Sequence, residues 1–545
     1  MDGGKQMKRF LSLIVAVALI FSLSSCSGGD NKAISYSLSA SPSTLDPQYA
    51  TDTGSHIIIN NSFEGLVRLS ADGEVIPGIA ESWSISSDGL TYTFNLKPKT
   101  EWYCPSSLKR EFGEEFYNKF STEKVTAKDF VFAMQRAISP ATNSPSAHRL
   151  YVIENAIEVH SGKADVSALG VTAPQDSTLI IKLSEPCADF LKRLTESVFM
   201  PCNEEFFNAT NGRYGLTHRH ILCNGPFYIS AWDKESSLSI RKNKYYSGSQ
   251  EVMPSSVNFD FKYNAQTISD KISSANTSAA LLPPDCEMPE NSVLIKENPN
   301  SVFGFVFNCS DTYLKNTNLR LALCKSIDRN LFAQGTENAV PMSGFVPPSC
   351  TYGNSSYRDT VGSQTPQINT DYAAAASCWK KALNELAKDK ISLTVLCPEW
   401  LDTSVRRQLQ IWQQTLGINL GITVENKTPA EIQSAVNSGN YQIALAGIES
   451  SYDSAIDFLS SFKDGGVFRF SSDEYGKIIN RLLTVEDEKE LLGGCFTAET
   501  YILQNAVCYP LYNRSSRFVM HEEIEGITII NAESSVSFIG VKRFD

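Results

Sequence analysis

The sequence of 545 residues has no excess of positive charge. It contains 48 Lys and Arg against 60 Asp and Glu, which gives a net charge of -12. Surfaces that bind nucleic-acid phosphates or anionic lipids need clustered basic residues, so neither class of protein is favoured. Hydrophobic residues make up 42% of the chain, enough for substantial cores. The length predicts three to four compact units or two large lobes. Composition therefore indicates a large, acidic, globular protein.

Long apolar runs are also scarce, and the only one lies at the N-terminus. Lys8 and Arg9 precede an apolar run over 10–23. This run is shorter than the ~20 residues of a membrane-spanning helix, and a basic start followed by a short apolar stretch is typical of a secretory signal peptide. The run leads into Ser25 and Cys26, an ending that resembles the bacterial lipobox, in which the Cys thioether carries diacylglycerol.

We therefore predict a lipoprotein signal peptide over 1–25, lipidation of Cys26 and a polar tether over 26–32. An ordinary signal peptide with a chance cysteine is the alternative. The predicted location is the extracytoplasmic face of the cell membrane, which is the outer surface of a Gram-positive cell or the periplasm of a Gram-negative one.

The chain has no C-x-x-C pair, so neither a zinc ribbon nor a thioredoxin-like site is indicated. Twelve cysteines remain after Cys26, and an exported chain permits disulfides, but buried free thiols explain them equally well. His218 and His220 could be metal ligands on one side of a strand, yet no nearby ligand completes a set, and we interpret them as part of a solvated loop.

Periodicity predicts an α/β protein. Apolar residues alternate near 34–38, 92–96 and 257–263, as half-buried strands require. Thr126 and Asp129 are typical of a helix start. In the second half, strands at 391–396, 418–424 and 441–446 alternate with helices, one from about Thr403 to Gly417 and one capped by Thr428, which predicts a parallel sheet. Polar loops or surface excursions are predicted over 104–124 and 354–370.

Twelve short stretches of sequence, spread along nearly the whole chain, together form a recognisable series. They are Thr44-Leu45-Asp46-Pro47, Glu64-Gly65-Leu66, Ala80-Glu81-Ser82-Trp83, the stretch 88–97, Trp102, the stretch 125–130, Asn224-Gly225-Pro226-Phe227, Lys244-Tyr245-Tyr246, the stretch 319–323, Ile327-Asp328-Arg329, Leu416-Gly417-Ile418 and Ala444-Leu445-Ala446-Gly447. This set resembles the family 5 extracellular solute-binding proteins, the oligopeptide- and dipeptide-binding components of ABC importers.

The resemblance implies an α/β, two-lobe periplasmic-binding-protein fold with hinge strands and an extra subdomain in lobe one. Carried over, lobe one spans 33–69, 172–300 and 513–545, its extra subdomain spans 70–171, and lobe two spans 301–512. The hinge crossings are expected near 300–308 and 509–513.

The resemblance further implies that a peptide is held between the lobes by main-chain hydrogen bonds and enclosed by hinge closure. The implied partners are the solute and the permease subunits of an ABC importer, and the protein is expected to be a monomer without cofactor or enzymatic activity. The implied ligand-binding residues are Thr51, Asp52 and Thr53 in lobe one and Gly447, Ile448, Glu449, Ser450, Ser451, Tyr452 and Asp453 in lobe two.

Two departures from the family pattern affect the expected ligand. Many peptide-binding members carry an Asp for the ligand's α-amino group where this chain has Ser451, so Glu449 or Asp453 would have to supply the charge. An insertion over 103–124 replaces a short turn. A non-peptide solute, such as a sugar or a metal chelate, and a sensing role without transport are therefore alternative interpretations.

An enzyme is a further alternative interpretation, because Asp52-Thr53-Gly54-Ser55 matches the aspartic-protease motif. That chemistry needs two carboxylates sharing a proton, and the sequence has no second copy of the motif. It also has no G-x-S-x-G, H-E-x-x-H or G-x-x-x-x-G-K pattern. A binding protein is the better interpretation.

Overall fold

The structure is a computed structural model that describes residues 33–544, except for 39, 51, 188, 283–285, 334–335, 337–338, 353–354, 363–367, 451–453, 483–484, 486, 514 and 531–534. The predicted signal peptide, Cys26 and the tether lie outside the described residues. No helix in the described part of the chain is both long and apolar enough to cross a membrane.

The helices, numbered along the chain, are α1 (Thr53–Ser62), α2 (Lys109–Phe112), α3 (Glu114–Phe120), α4 (Ala127–Ile138), α5 (Ala156–His160), α6 (Phe190–Arg193), α7 (Glu204–Ala209), α8 (Ala265–Ser273), α9 (Thr317–Cys324), α10 (Asn330–Ala333), α11 (Tyr357–Val361), α12 (Tyr372–Leu386), α13 (Asp402–Leu416), α14 (Pro429–Ser438), α15 (Ala455–Ser460), α16 (Asp473–Leu482) and α17 (Glu488–Gln504).

The strands are β1 (Ile34–Ser37), β2 (Val67–Leu69), β3 (Val75–Pro77), β4 (Ala80–Ile85), β5 (Thr91–Leu96), β6 (Val171–Gln175), β7 (Thr178–Lys182), β8 (Phe227–Asp233), β9 (Ser237–Lys242), β10 (Ser256–Asp260), β11 (Ala279–Leu282), β12 (Ser292–Asn298), β13 (Ser301–Phe307), β14 (Val340–Pro341), β15 (Thr351–Tyr352), β16 (Ser355–Ser356), β17 (Ile391–Cys397), β18 (Leu420–Asn426), β19 (Ile443–Glu449), β20 (Asp464–Gly465), β21 (Phe470–Ser471), β22 (Cys508–Asn513), β23 (Ser516–His521), β24 (Ile524–Glu525), β25 (Thr528–Ile530), β26 (Ser535–Ser537) and β27 (Lys542–Arg543).

The two largest sheets of the first lobe form its framework. A seven-stranded sheet has the order β12-β23-β11-β1-β10-β9-β8, and β1 pairs in parallel with both β10 and β11. A separate four-stranded sheet has the order β4-β5-β7-β6. The helix α4 packs on this smaller sheet, and its start confirms the predicted capping: the Asp129 carboxylate accepts the Thr126 backbone N–H at 2.7 Å. One apolar core runs through both sheets.

The second lobe is built on a six-stranded sheet with the order β14-β22-β13-β19-β17-β18. The strands and helices predicted for this half are found, including Gly417 after α13 at φ 98° and the capping box of Thr428 with Glu431. The strand predicted from 418 begins at Leu420, and Ile418 lies outside it with 90% of its surface exposed. The sheet is parallel only among β17, β18 and β19, whereas β13 and β22 are antiparallel, so the prediction of a parallel sheet holds for part of it. Val306 contributes to the core on one face of β13, and Phe305 and Phe307 to the core on the other.

The chain passes twice between the lobes through short connections. Strand β12 of the first lobe ends at Asn298 and β13 of the second begins at Ser301, while β22 ends at Asn513 and β23 begins at Ser516. The strands proposed as hinges from the resemblance are thus full members of the six-stranded sheet. This arrangement is the two-lobe α/β fold that the resemblance implies.

The segment 104–124, predicted as a polar loop or surface excursion, is not a loop. The segment contains α2 and α3, and Phe112, Phe116 and Phe120 pack along one side with ring centroids 4.7 and 4.6 Å apart in succession. All three rings also contact Phe206 of α7. Phe116 and Phe120 are one turn apart on α3, and Phe112 ends α2 just before it. The recurrence of Phe every four residues is a signal that the polar composition concealed.

The interpretation of His220 as a solvated residue is also wrong. Its side chain is 7% exposed, and its Nε2 lies 2.7 Å from a carboxylate oxygen of Glu111 in the insertion. Its Nδ1 lies 2.7 Å from the Thr217 hydroxyl. The insertion therefore covers the histidine, which a linear pattern could not reveal.

The cysteines are buried thiols. Of the twelve cysteines among the described residues, eleven are buried and Cys378 is partly exposed. Burial raises the pKa of the Cys202 thiol to about 12, which keeps it protonated and unreactive at neutral pH. Of the two alternatives left open by the sequence, the described structure shows the buried thiol.

Candidate functional site

The end of β19 next to the lobe crossing is the centre of the candidate site. Strand β19 runs antiparallel to β13, with Gly447 opposite Phe303 and Glu449 opposite Ser301. Ser450 continues the ladder, because its N–H donates to the Asn300 carbonyl at 2.8 Å. The predicted residues Gly447, Ile448, Glu449 and Ser450 are thus brought to the point where the chain enters the second lobe.

One edge of this strand end is open among the described residues. Strand β17 pairs with β19 only at Ile443 and Ala444, whereas β13 pairs with it as far as Glu449. Residues of an antiparallel strand alternate between facing the partner and facing away. Since Ser450 faces β13, the N–H and C=O groups of Gly447 and Glu449 point to the other edge, beyond the last pair with β17.

Gly447 leaves space on the face of the sheet as well. A Cβ atom added there would meet no atom of the described residues within 4 Å, its two chain neighbours aside. Its cross-strand neighbour Phe303 is partly exposed, and the Phe303 ring stacks on Tyr512 with centroids 5.1 Å apart. The Phe303 ring is thus an apolar surface beside an open main-chain edge.

The remaining predicted residues of the second lobe are Ser451, Tyr452 and Asp453, and they lie outside the described residues. The side chain of Glu449 is likewise not described. Strand β19 ends at Glu449.

In the first lobe, Asp52 is the N-cap of α1. Its carboxylate accepts the Ser55 N–H at 2.8 Å, the Ser55 hydroxyl at 2.7 Å, the Ser43 hydroxyl at 2.5 Å and the Ser43 N–H at 3.3 Å. These donors occupy the carboxylate and tie the loop before α1 to the helix start. Asp52 therefore shapes the loop, and its partners are serines rather than the second carboxylate that aspartic-protease chemistry requires.

Thr51, Thr53 and His56 lie close to Asp52 in the sequence, around the start of α1. Thr51 lies outside the described residues, and Thr53 is the first residue of α1. One turn along the helix, the partly exposed His56 has its Nδ1 2.9 Å from the Ser197 hydroxyl. Neither the composition nor the family blocks had drawn attention to His56.

Asp46 of the Leu-Asp-Pro block has a partner in the extra subdomain. Its carboxylate binds the guanidinium of Arg136 on α4, with the two side chains 8% and 4% exposed. Arg136 also donates to the Gln48 side-chain oxygen at 2.7 Å and lies over the Phe207 ring at 4.5 Å. This buried network positions the loop that leads to Asp52.

The two lobes also contact each other away from β19. The Ser454 hydroxyl in lobe two donates to an Asp189 carboxylate oxygen in lobe one at 2.8 Å. The Lys463 ammonium lies 3.7 Å from a Glu185 carboxylate oxygen. The lobes are thus in contact across the cleft that separates them.

Comparisons with known proteins agree with this architecture. Residues 74–469 match the model of the "Bacterial extracellular solute-binding proteins, family 5 Middle". The "Oligopeptide-binding protein OppA" of Bacillus subtilis is 26% identical over 548 residues, covering 94% of this chain and 96% of the relative. The substrate-binding domain of an oligopeptide ABC transporter from Bacillus anthracis is 24% identical and superposes with a TM-score of 0.77, covering 95% of this chain and all 100% of that structure. Listeria monocytogenes OppA bound to peptide superposes with a TM-score of 0.75 at 22% identity, covering 95% of this chain and 100% of that structure. The chain belongs to the family 5 bacterial extracellular solute-binding proteins.

Proposed function

We propose that this protein is the extracytoplasmic substrate-binding component of an ABC importer and that it captures peptides between its two lobes by main-chain pairing. The observation that carries the proposal is the open edge of β19, where Gly447 and Glu449 direct N–H and C=O groups away from β13. An extended peptide can add to such an edge as a further strand. The names of the relatives, oligopeptide-binding proteins, support the same class of ligand.

Several features of the proposal follow from the family resemblance. The lobe boundaries are 33–69 with 172–300 and 513–545 for lobe one, 70–171 for its subdomain and 301–512 for lobe two. The ligand-binding set is Thr51, Asp52, Thr53, Gly447, Ile448, Glu449, Ser451, Tyr452 and Asp453, in which Asp52 acts through the loop that it caps. The protein works as a monomer without chemistry of its own and delivers its ligand to the permease subunits.

Main-chain pairing predicts a specific response to N-methylation of the ligand. Methylating an amide nitrogen that pairs with β19 removes its proton and leaves a buried acceptor unsatisfied, which costs about tenfold or more in affinity. Because only alternate residues of an added strand face β19, methylation of the residues between them is expected to change affinity little. Isothermal titration with a series of singly N-methylated peptides measures this pattern.

Alanine substitutions along the same peptide are the matched control, since they change side chains and leave the main-chain donors intact. An alternating loss on N-methylation with a small loss on alanine substitution supports main-chain pairing. Unmodified peptides that do not bind, while sugars or metal chelates do, would contradict the proposed ligand class.

We further propose that Cys26 is lipidated and anchors the protein to the outer face of the membrane. The motivation is the short apolar run after Lys8 and Arg9 that leads into Ser25-Cys26. Expressed in a bacterial host, the full chain is expected to partition into the detergent phase of a two-phase extraction, and Cys26→Ala to move it to the aqueous phase. Unchanged partitioning of the variant would show that Cys26 carries no anchor.

A further inference from the structure

Asp189 makes a contact that its position in the chain does not require. It is the N-cap residue of α6, where an Asp side chain usually accepts a backbone N–H of the first turn. Here the side chain makes no capping hydrogen bond and instead accepts the Ser454 hydroxyl of the other lobe at 2.8 Å. The carboxylate is thus directed across the cleft rather than along its own helix.

Both ends of this contact are attached to the cores of their lobes. In lobe one, Phe190 follows Asp189, and its buried ring packs on Tyr92 with centroids 4.8 Å apart. In lobe two, Ser454 precedes α15, and its carbonyl accepts the Phe458 N–H at 3.0 Å. Phe458 belongs to the buried core of that lobe. The contact therefore joins two rigid elements, so its formation depends on how the lobes are placed.

Asp189 also reaches the interior of lobe two electrostatically. The pKa of the Cys495 thiol on α17 is raised to about 12 by burial and by the neighbouring carboxylates of Glu499 and Asp189. Glu499 belongs to lobe two and Asp189 to lobe one.

A second contact between the lobes lies in the same region, and its acidic partner again comes from lobe one. Glu185, four residues before Asp189, lies 3.7 Å from Lys463, with side chains 33% and 27% exposed. Lobe one supplies the carboxylate in both contacts, and lobe two supplies the donor. Partly exposed charges at this distance attract each other, and salt screens the attraction.

We propose that Glu185, Asp189, Ser454 and Lys463 form an interlobe latch that stabilises the closed arrangement of the protein independently of its ligand. All four groups belong to the chain itself and form two direct pairs, Asp189 with Ser454 and Glu185 with Lys463, so the latch favours closure whatever solute is bound. A ligand that binds only the closed arrangement has an apparent Kd equal to its intrinsic Kd divided by the closed fraction. While the closed arrangement is a minor fraction, the latch tightens binding of every ligand by a common factor.

Small-angle scattering on the ligand-free protein without its lipid anchor tests the latch. The double variant Asp189→Ala/Lys463→Gln is expected to lower the ratio of closed to open molecules by about fivefold to thirtyfold, as the loss of one charged hydrogen bond and one ion pair implies. The radius of gyration then increases. The matched control is Lys119→Gln, which removes an exposed ion pair with Glu205 inside lobe one and is expected to change nothing.

Two further arms complete the test. Raising NaCl from ~0.05 M to ~0.5 M is expected to open the wild type partly through screening of the Glu185–Lys463 pair. The exchange Glu185→Lys/Lys463→Glu is expected to restore the closed fraction that Lys463→Glu alone loses. A double variant with the wild-type radius of gyration, or a ligand-free wild type that is open at every salt concentration, would overturn the latch. Because no ligand is used, this result is separate from the outcome of the peptide titrations.

Discussion

Replacing Arg136 with Met is expected to lower the free energy of unfolding by ~3–5 kcal/mol, because it leaves a buried carboxylate without its counter-charge. The Arg136 side chain is 4% exposed and that of its partner Asp46 is 8% exposed. The variant also loses the 2.7 Å hydrogen bond to Gln48 and the cation–π contact with Phe207. Urea unfolding of the protein without its lipid anchor, followed by circular dichroism, measures the change in the free energy of unfolding.

Lys128→Met is the matched control, because Lys128 lies on the same helix, α4, and also makes an ion pair. Its Nζ lies 2.9 Å from Asp176, but the side chains are 73% and 69% exposed. Exposed pairs of this kind contribute ~0–1 kcal/mol, so the control is expected to unfold almost as the wild type does. The double variant Asp46→Asn/Arg136→Met removes both charges and is expected to recover part of the loss. Equal effects of Arg136→Met and Lys128→Met would refute the assignment.

The consequence for the site is positional. Asp46 also accepts the Gln48 N–H at 3.1 Å, and Gln48 donates to the carbonyls of Val198 and Met200 at 3.1 and 2.9 Å. The loop between β1 and α1 is therefore attached to the extra subdomain and to the segment after α6. Weakening the contact between Arg136 and Asp46 should loosen the loop between β1 and α1, which Asp52 ties to the start of α1. Ligand affinity is therefore expected to fall together with the free energy of unfolding.

Local rules predicted much of the second lobe from the sequence. The alternation in β17 and β18 and the caps at Gly417 and Thr428 depend on residues that are close in the chain, and each is found in the structure. The aromatic face of the 103–124 insertion was equally local, since Phe112, Phe116 and Phe120 recur every four residues. It was missed because the charged residues between them dominated the composition.

Other features depend on pairs that no local pattern connects. Asp46 and Arg136 are 90 residues apart, and Asp189 and Ser454 are 265 apart. The open edge of β19 results from where β17 stops pairing, which depends on sheet register rather than on the residues of β19. Family blocks identified Leu45-Asp46-Pro47 and the end of β19 as sites of interest, but not the contacts that give them their roles.

If the ligand is a peptide, as proposed, its positively charged α-amino group is expected to pair with a carboxylate of the protein. Many peptide-binding members of the family carry an Asp at the position of Ser451, and serine has no charge. Glu449 or Asp453 must therefore supply the carboxylate if the ligand is held by its α-amino group. Breaking a desolvated ion pair by removing one partner costs ~3–5 kcal/mol, a loss of ~10²–10³ or more in affinity. Either Glu449→Gln or Asp453→Asn is therefore expected to weaken binding on that scale.

N-acetylation of the peptide removes the same charge from the other side and should weaken binding to the wild type by a similar factor. The variant that lacks the responsible carboxylate should lose little further affinity for the acetylated peptide, because the pair is already broken. Glu425→Gln on β18 is the control, since Glu425 is exposed and its carboxylate lies 4.0 Å from Lys427. Calorimetric titration of each variant with both peptides completes the cycle. If neither substitution nor acetylation changes the Kd, the ligand is not anchored by its N-terminus. The open edge at Gly447 and the partly exposed ring of Phe303 would then favour a solute recognised by shape and main-chain contacts alone.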